Sequence, residues 1–144
     1  MAKAGAVTEL LSEVLRLSAR VSAAGDLMFA DLGLSHARWQ VLDALSQAKG
    51  ATVADLARGL GVSRQAVQRV VNEMKAAGLV FTTENPRHRR AVLVQVTGNG
   101  SRAWELAAER RRAWAETLGA SLPGGKVARM TERLRAIRTQ LDAA

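Results

Sequence analysis

Residues 52–80 read TVADLARGLGVSRQAVQRVVNEMKAAGLV, and no other stretch restricts the fold as tightly. Ala57 is followed four residues on by Gly61, then by Val62, and after these by Val67 and Val70 on one helical face. A small residue at 57 lets two helices approach closely. Glycine at 61 supplies the left-handed backbone that a tight interhelical turn needs, at a cost any side chain would raise. Ser63 stands where an N-cap belongs, able to accept a hydrogen bond from the free amides opening the next helix. Two short helices joined in this way make a helix-turn-helix, expected over 53–78.

The second of these helices sets Val67, Val70, Val71 and Met74 on its packing face and Arg64, Gln65, Gln68, Arg69 and Asn72 on the outer one. A merely solvated face more often carries Glu and Lys. Arginine instead matches the acceptor pair on guanine, and glutamine or asparagine the donor and acceptor of adenine. The expectation is that Arg64, Gln65, Gln68 and Arg69 read bases, with Ser63 and Asn72 on phosphate or a base edge.

Two β-prone runs follow, Leu79 to Thr83 and Ala91 to Val96, flanking the polar loop ENPRHRR. Antiparallel strands joined by such a loop make a wing over 79–97. Taken alone, Arg87, His88, Arg89 and Arg90 could be a solvated loop. Beside a reading helix they are expected to anchor the wing on the DNA backbone and in the minor groove, where a narrow groove concentrates negative potential.

Charge distribution supports this placement. Lys plus Arg number 21 against 13 Asp plus Glu, a net +8, which calls for a polyanionic partner without choosing between nucleic acid and an acidic membrane. Residues 1–63 balance six basic against six acidic side chains, whereas 64–90 carry six against two and 91–144 nine against five. The excess begins at the second helix of the motif.

Upstream, Val7, Leu10, Leu11, Val14, Leu17, Val21, Ala24 and Met28 recur at steps of three and four, predicting one long amphipathic helix to about Ala30. Gly33 ends it. Ser35 opens a second helix, SHARWQVLDALSQA, with Ala37 or Trp39 inward beside Val41, Leu42 and Leu45; Gly50 closes it, and Ala51 and Thr52 form a linker. Downstream, Thr97 and its GNG neighbours start a helix carrying Trp104, Ala107, Arg111, Trp114 and Leu118, interrupted at Leu122, Pro123 and two glycines. The final segment spaces Val127, Met130, Leu134, Ile137 and Leu141 as a narrow heptad seam, the pattern of a helix that pairs with another helix.

Several function classes are disfavoured. The chain has no cysteine, and its two histidines lack partners at metal-ligand spacing, so neither metal nor cofactor is expected. Nucleophile–base motifs and phosphate-cradling glycine loops are missing, so an enzyme is not expected. No apolar run reaches the ~18 residues of a membrane span and the N-terminus has no signal pattern, so a cytoplasmic protein is expected. At 144 residues, a single domain is expected.

The long first helix, LSHARWQVL at 34–42, the helix-turn-helix, the wing ending RRAVLVQVT, the glycine-rich start of the next helix and the C-terminal pairing helix occur together in order. In this the chain resembles the MarR family of bacterial transcription regulators. The resemblance implies a mainly α fold with a small β wing, in which 7–33 and 98–144 are dimerisation helices flanking a DNA-binding lobe over 34–97. It further implies an obligate homodimer on double-stranded DNA with a palindromic operator, acting as a repressor. Family members often bind small aromatic acids or phenols between dimerisation helices and DNA-binding lobe. By that analogy Arg20, Met28, His36 and Trp39 would line the crevice, although Trp39, Trp104 and Trp114 also read as packing residues. One departure stands out. The family usually places an aspartate two residues before the wing arginine matched by Arg90, and here that position is His88, which would leave Arg90 less firmly held and wing binding mildly pH-dependent, since histidine titrates near neutrality. The competing reading is an architectural DNA- or RNA-binding winged helix without sequence preference or ligand.

Overall fold

The computed structural model describes residues 2–88 and 90–144. Helix α1 runs Ala2–Phe29, five residues earlier than its apolar periodicity begins, and gives way to one 3₁₀ turn at Ala30–Leu32 closed by Gly33 in the left-handed region. Ser35 then caps α2 (His36–Ser46), its hydroxyl accepting from the Arg38 amide at 3.1 Å. Trp39, Val41, Leu42 and Leu45 are buried while Ala37 is exposed, so Trp39 takes the inward position.

Residues 51 and 52 do more than link. Ala51 exchanges both backbone hydrogen bonds with Val94, at 3.2 and 2.8 Å, adding a one-residue third rung to the wing sheet. Thr52 forms a reciprocal cap with Asp55, hydroxyl to amide at 3.1 Å and amide to carboxylate at 3.4 Å, which starts α3 (Val53–Leu60). Gly61, at φ 68°, ends α3 with its amide bonded to the Ala57 carbonyl, and Ser63 opens α4 (Arg64–Ala76). Val67, Val71 and Met74 are buried and Val70 is half-buried, which is the packing face anticipated from the sequence. Each fully buried side chain of this size contributes roughly 1.5–3 kcal/mol of burial free energy.

Strand β1 (Val80–Thr83) pairs antiparallel with β2 (Leu93–Val96), Val80 opposite Val96 and Thr83 opposite Leu93. Both are shorter than their β-prone runs for a local reason. The Leu79 amide is committed to the Met74 carbonyl at 2.9 Å, closing α4, and the Ala91 amide to the His88 carbonyl at 3.3 Å within the loop turn. Thr97 then joins the lobe to α5 (Gly98–Gly119): its hydroxyl donates to the Gly78 carbonyl at 2.6 Å and accepts from the Gly100 amide at 3.0 Å. A side chain at Gly100 has no room, because a Cβ there would stand 2.1 Å from the Leu79 carbonyl oxygen.

The chain divides into two compact units, one extending to Ala108 and one over Glu109–Ala144. All the buried apolar residues lie in the first, among them Phe29, Leu42, Val71, Met74, Val94 and Ala107. There α5 is fastened to α2 by the Trp104 indole N–H, which donates to Asp43 Oδ1 at 3.1 Å. Along α1, Val7, Leu10, Leu11 and Leu17 are exposed. In the second unit, α6 (Gly124–Ala143) starts after Pro123 and carries the heptad seam, with Val127, Met130, Leu134 and Leu141 exposed and Ile137 half-buried. Among the described residues no helix is long and apolar enough to cross a membrane, and no three His, Asp or Glu side chains cluster as a metal site.

Candidate nucleic-acid interface

Helix α4 is held from behind and presented in front. Behind, Val67, Val71 and Met74 seat it in the core. At its N-terminus the Ser63 hydroxyl accepts from the Ala66 amide at 3.1 Å, which leaves the hydroxyl proton for an outside acceptor. In front, Ser63, Arg64, Gln65, Gln68, Arg69 and Asn72 are all exposed. Gln68 donates its side-chain N–H to Asn72 Oδ1 at 2.9 Å, so one amide orients the other across a helical turn. Ser63, Gln65, Gln68, Arg69 and Asn72 share one concave surface.

A second groove, of about 380 Å³, separates α4 from the wing. Arg64, Gln65 and Gln68 line one side, Arg90, Ala91 and Val92 the other, and Thr52, Val53 and Ala54 at the start of α3 close it. Arg90 is thereby brought beside α4 although it is distant in sequence. Arg87 and His88 are exposed on the loop but do not line this groove. They sit in a turn shaped by Asn85, whose side-chain oxygen accepts from the Arg87 amide at 3.0 Å and whose carbonyl accepts from the His88 amide at 3.2 Å. Arg89 lies outside the described residues. Among the described residues no carboxylate pairs with Arg90.

The electrostatic character of this face is one-sided. Arg64, Arg69 and Arg90 stand on it, and the acidic residue of α4, Glu73, lies 3.6 Å from Arg38 Nη2 of α2. Such a surface attracts phosphates, and its exposed amides and guanidinium groups match base edges. Thr52, Val53 and Ala54 were not among the residues anticipated from the sequence. The Thr-x-x-Asp spacing of Thr52 and Asp55 was a readable signal that a helix N-terminus, with its outward amides, begins there.

The four candidate ligand residues lie around α1 and α2. Trp39 is buried and stacks on Phe29 at 5.8 Å between ring centroids, with His36 tilted against it at 6.0 Å. His36 is half-buried, and its amide donates to Asp26 Oδ1 at 2.8 Å. The two helices meet closely there, since a Cβ on Gly25 would fall 2.8 Å from His36 Nδ1. Met28 packs against the same core, whereas Arg20 is exposed earlier on α1. Trp104 is half-buried and bonded to Asp43, and Trp114 is half-buried in the second unit.

Comparison with known proteins bears on the family and the fold. The MarR family model matches residues 32–91, which span α2, the helix-turn-helix and most of the wing. An uncharacterised protein of Mycobacterium tuberculosis is 38% identical over 104 residues, covering 72% of either chain. BadR of Rhodopseudomonas palustris, a transcriptional activatory protein, is 40% identical over 92 residues, 60% of this chain and 53% of its own. Among solved structures, a mutant of MarR from E. coli complexed with operator DNA superposes with a TM-score of 0.81 at 21% identity, over 91% of this chain and 94% of that one. The chain belongs to the MarR family of transcriptional regulators.

Proposed function

We propose that the protein is a homodimeric, sequence-specific DNA-binding regulator that reads a palindromic operator and represses by occupying it. The observation that carries the DNA reading is the groove in which Arg64, Gln65 and Gln68 of α4 face Arg90 of the wing. Base-edge readers and a backbone or minor-groove anchor on one concave face suit a helix in the major groove with the wing alongside. Ser63, Arg69 and Asn72 extend the reading surface, and Arg87, His88 and Arg89 extend the wing contact.

Dimerisation is supported by the apolar stripes of α1 and α6, which one copy leaves in water. A two-fold pair carries two reading helices, and half-sites one helical turn apart, about 34 Å, would match them. The sign of regulation follows from where the operator lies relative to the promoter; BadR is an activator. For a ligand, the aromatic corner formed by Phe29, His36 and Trp39 supports a small aromatic acid, with Arg20 or His36 pairing its carboxylate. Such a ligand releases DNA only if it prefers a dimer geometry whose reading helices no longer fit the half-sites.

The test is fluorescence anisotropy against a recovered candidate operator and random duplex at several salt concentrations, with a promoter reporter for sign. A preference of about a thousandfold or more supports specific regulation. Steep salt dependence with little preference between duplexes would replace it with architectural binding.

A further inference from the structure

We infer that Arg38 is a positioning residue for DNA reading: by holding Glu73 it keeps that carboxylate from Arg69 and ties the reading helix to the corner between α1 and α2. The inference rests on the DNA-reading function proposed above.

Arg38 bridges two elements. Its Nη1 donates to the Gly33 carbonyl at 3.0 Å, at the left-handed turn where α1 gives way to α2, and its Nη2 lies 3.6 Å from Glu73 Oε2 on α4. The Ser35 hydroxyl caps its backbone amide, which fixes the root of the side chain. The Arg38 side chain is 26% exposed and Glu73 49%, so the ion pair is partly sheltered, and the planar fork of arginine lets one nitrogen donate to the Gly33 carbonyl while the other faces the Glu73 carboxylate.

Glu73 has a competing partner. Arg69 lies four residues earlier on the same helix, and side chains at that separation meet on one face. Arg69 also lines the concave reading surface with Ser63, Gln65, Gln68 and Asn72. Among the described residues, the ion pair of Glu73 goes to Arg38, and Arg69 has none. Within 64–90 only Glu73 and Glu84 are acidic, so Glu73 is the one carboxylate on the reading helix. Without Arg38, Glu73 is free to pair with Arg69 and draw it off the concave reading surface.

This arrangement separates positioning from simple bracing. If Arg38 only braces the fold, neutralising Glu73 cannot repair its loss. If Arg38 acts by occupying Glu73, it can. Operator affinity and base preference are therefore measured for wild type, Arg38→Met, Glu73→Gln and the double variant, with thermal melts of each.

Arg38→Met is expected to bind the operator about tenfold more weakly, the scale of one ~1.4 kcal/mol contact, and to lose discrimination at the base pair that Arg69→Ala also blurs. Adding Glu73→Gln restores affinity to within about threefold of wild type and recovers that discrimination, the coupling expected of neighbours acting through a shared group. Arg38→Lys, which keeps the charge without the fork, falls between and serves if Arg38→Met melts early. The inference is overturned if both Arg38 variants bind as wild type, or if the double variant stays as weak as Arg38→Met. Failure of wild type to prefer the operator over random DNA would instead overturn the proposed function, and this inference with it.

Discussion

Replacing Gly100 with alanine tests whether the junction between the winged-helix lobe and α5 is built as described. The new Cβ would stand 2.1 Å from the Leu79 carbonyl oxygen and 2.9 Å from Val96 Cγ1. That oxygen cannot move cheaply. It accepts from the Thr97 amide at 3.1 Å, while the Leu79 amide is bonded to Met74 at 2.9 Å. A relaxed carbon-to-oxygen contact is about 3.3 Å, so the backbone must open by roughly 1 Å. Overpacking of this kind costs about 1–3 kcal/mol. The shift also strains two hydrogen bonds, Thr97 to Leu79 and Gly100 to Thr97, each with a net value of about 0.5–1.5 kcal/mol. The helix preference for alanine over glycine returns about 1 kcal/mol. The balance is a loss of roughly 3 kcal/mol, or a fall in melting temperature of about 6–12 °C for a chain of this size. Gly98→Ala is the control, because it opens the same helix with nothing within 4 Å of the added carbon. Both are melted at one protein concentration, since the proposed dimerisation would make the midpoint concentration-dependent. If Gly100→Ala melts with Gly98→Ala, the close approach of α5 to Leu79 is wrong.

Arg90→Ala should weaken operator binding by about 1 kcal/mol or more and reduce the salt slope by about one phosphate contact; an unchanged slope and affinity in an anisotropy titration removes Arg90 from the interface. Gln68→Ala should cost about 1–3 kcal/mol at a single base-pair position while leaving the salt slope intact, as read from binding to a panel of single-base operator variants. Met74→Ala, at a side chain that is 0% exposed on the buried face of α4, should destabilise by about 2–5 kcal/mol in urea denaturation.

Much of the lobe was legible because its signals are local. Gly61, Ser63 and the spacing of Val67, Val71 and Met74 specify a turn, a cap and a packing face within a few residues of each other, and the structure contains all three. The choice between Ala37 and Trp39 as the inward residue of α2 needed a partner, Phe29 of α1, that periodicity does not name. What escaped is non-local. Ala51 pairs with Val94, Trp104 with Asp43, and Arg38 with Glu73, and no pattern of types or spacings joins such positions. The strand ends were overextended because β propensity does not register that the Leu79 and Ala91 amides are already committed to turns. For the candidate site, the exposed outer face of α4 followed from helical geometry alone, whereas Arg90 sharing a groove with it depended on how the wing folds back.

The central claim, that two copies of this chain read one operator through α4 and the wing, is tested most directly by selecting bound duplexes from a random DNA pool. Recovery of a palindrome with half-site centres about 10 base pairs apart, lost with Arg64→Ala or Gln68→Ala, is the predicted result. A pool that stays random while wild type binds it strongly at low salt would contradict the account.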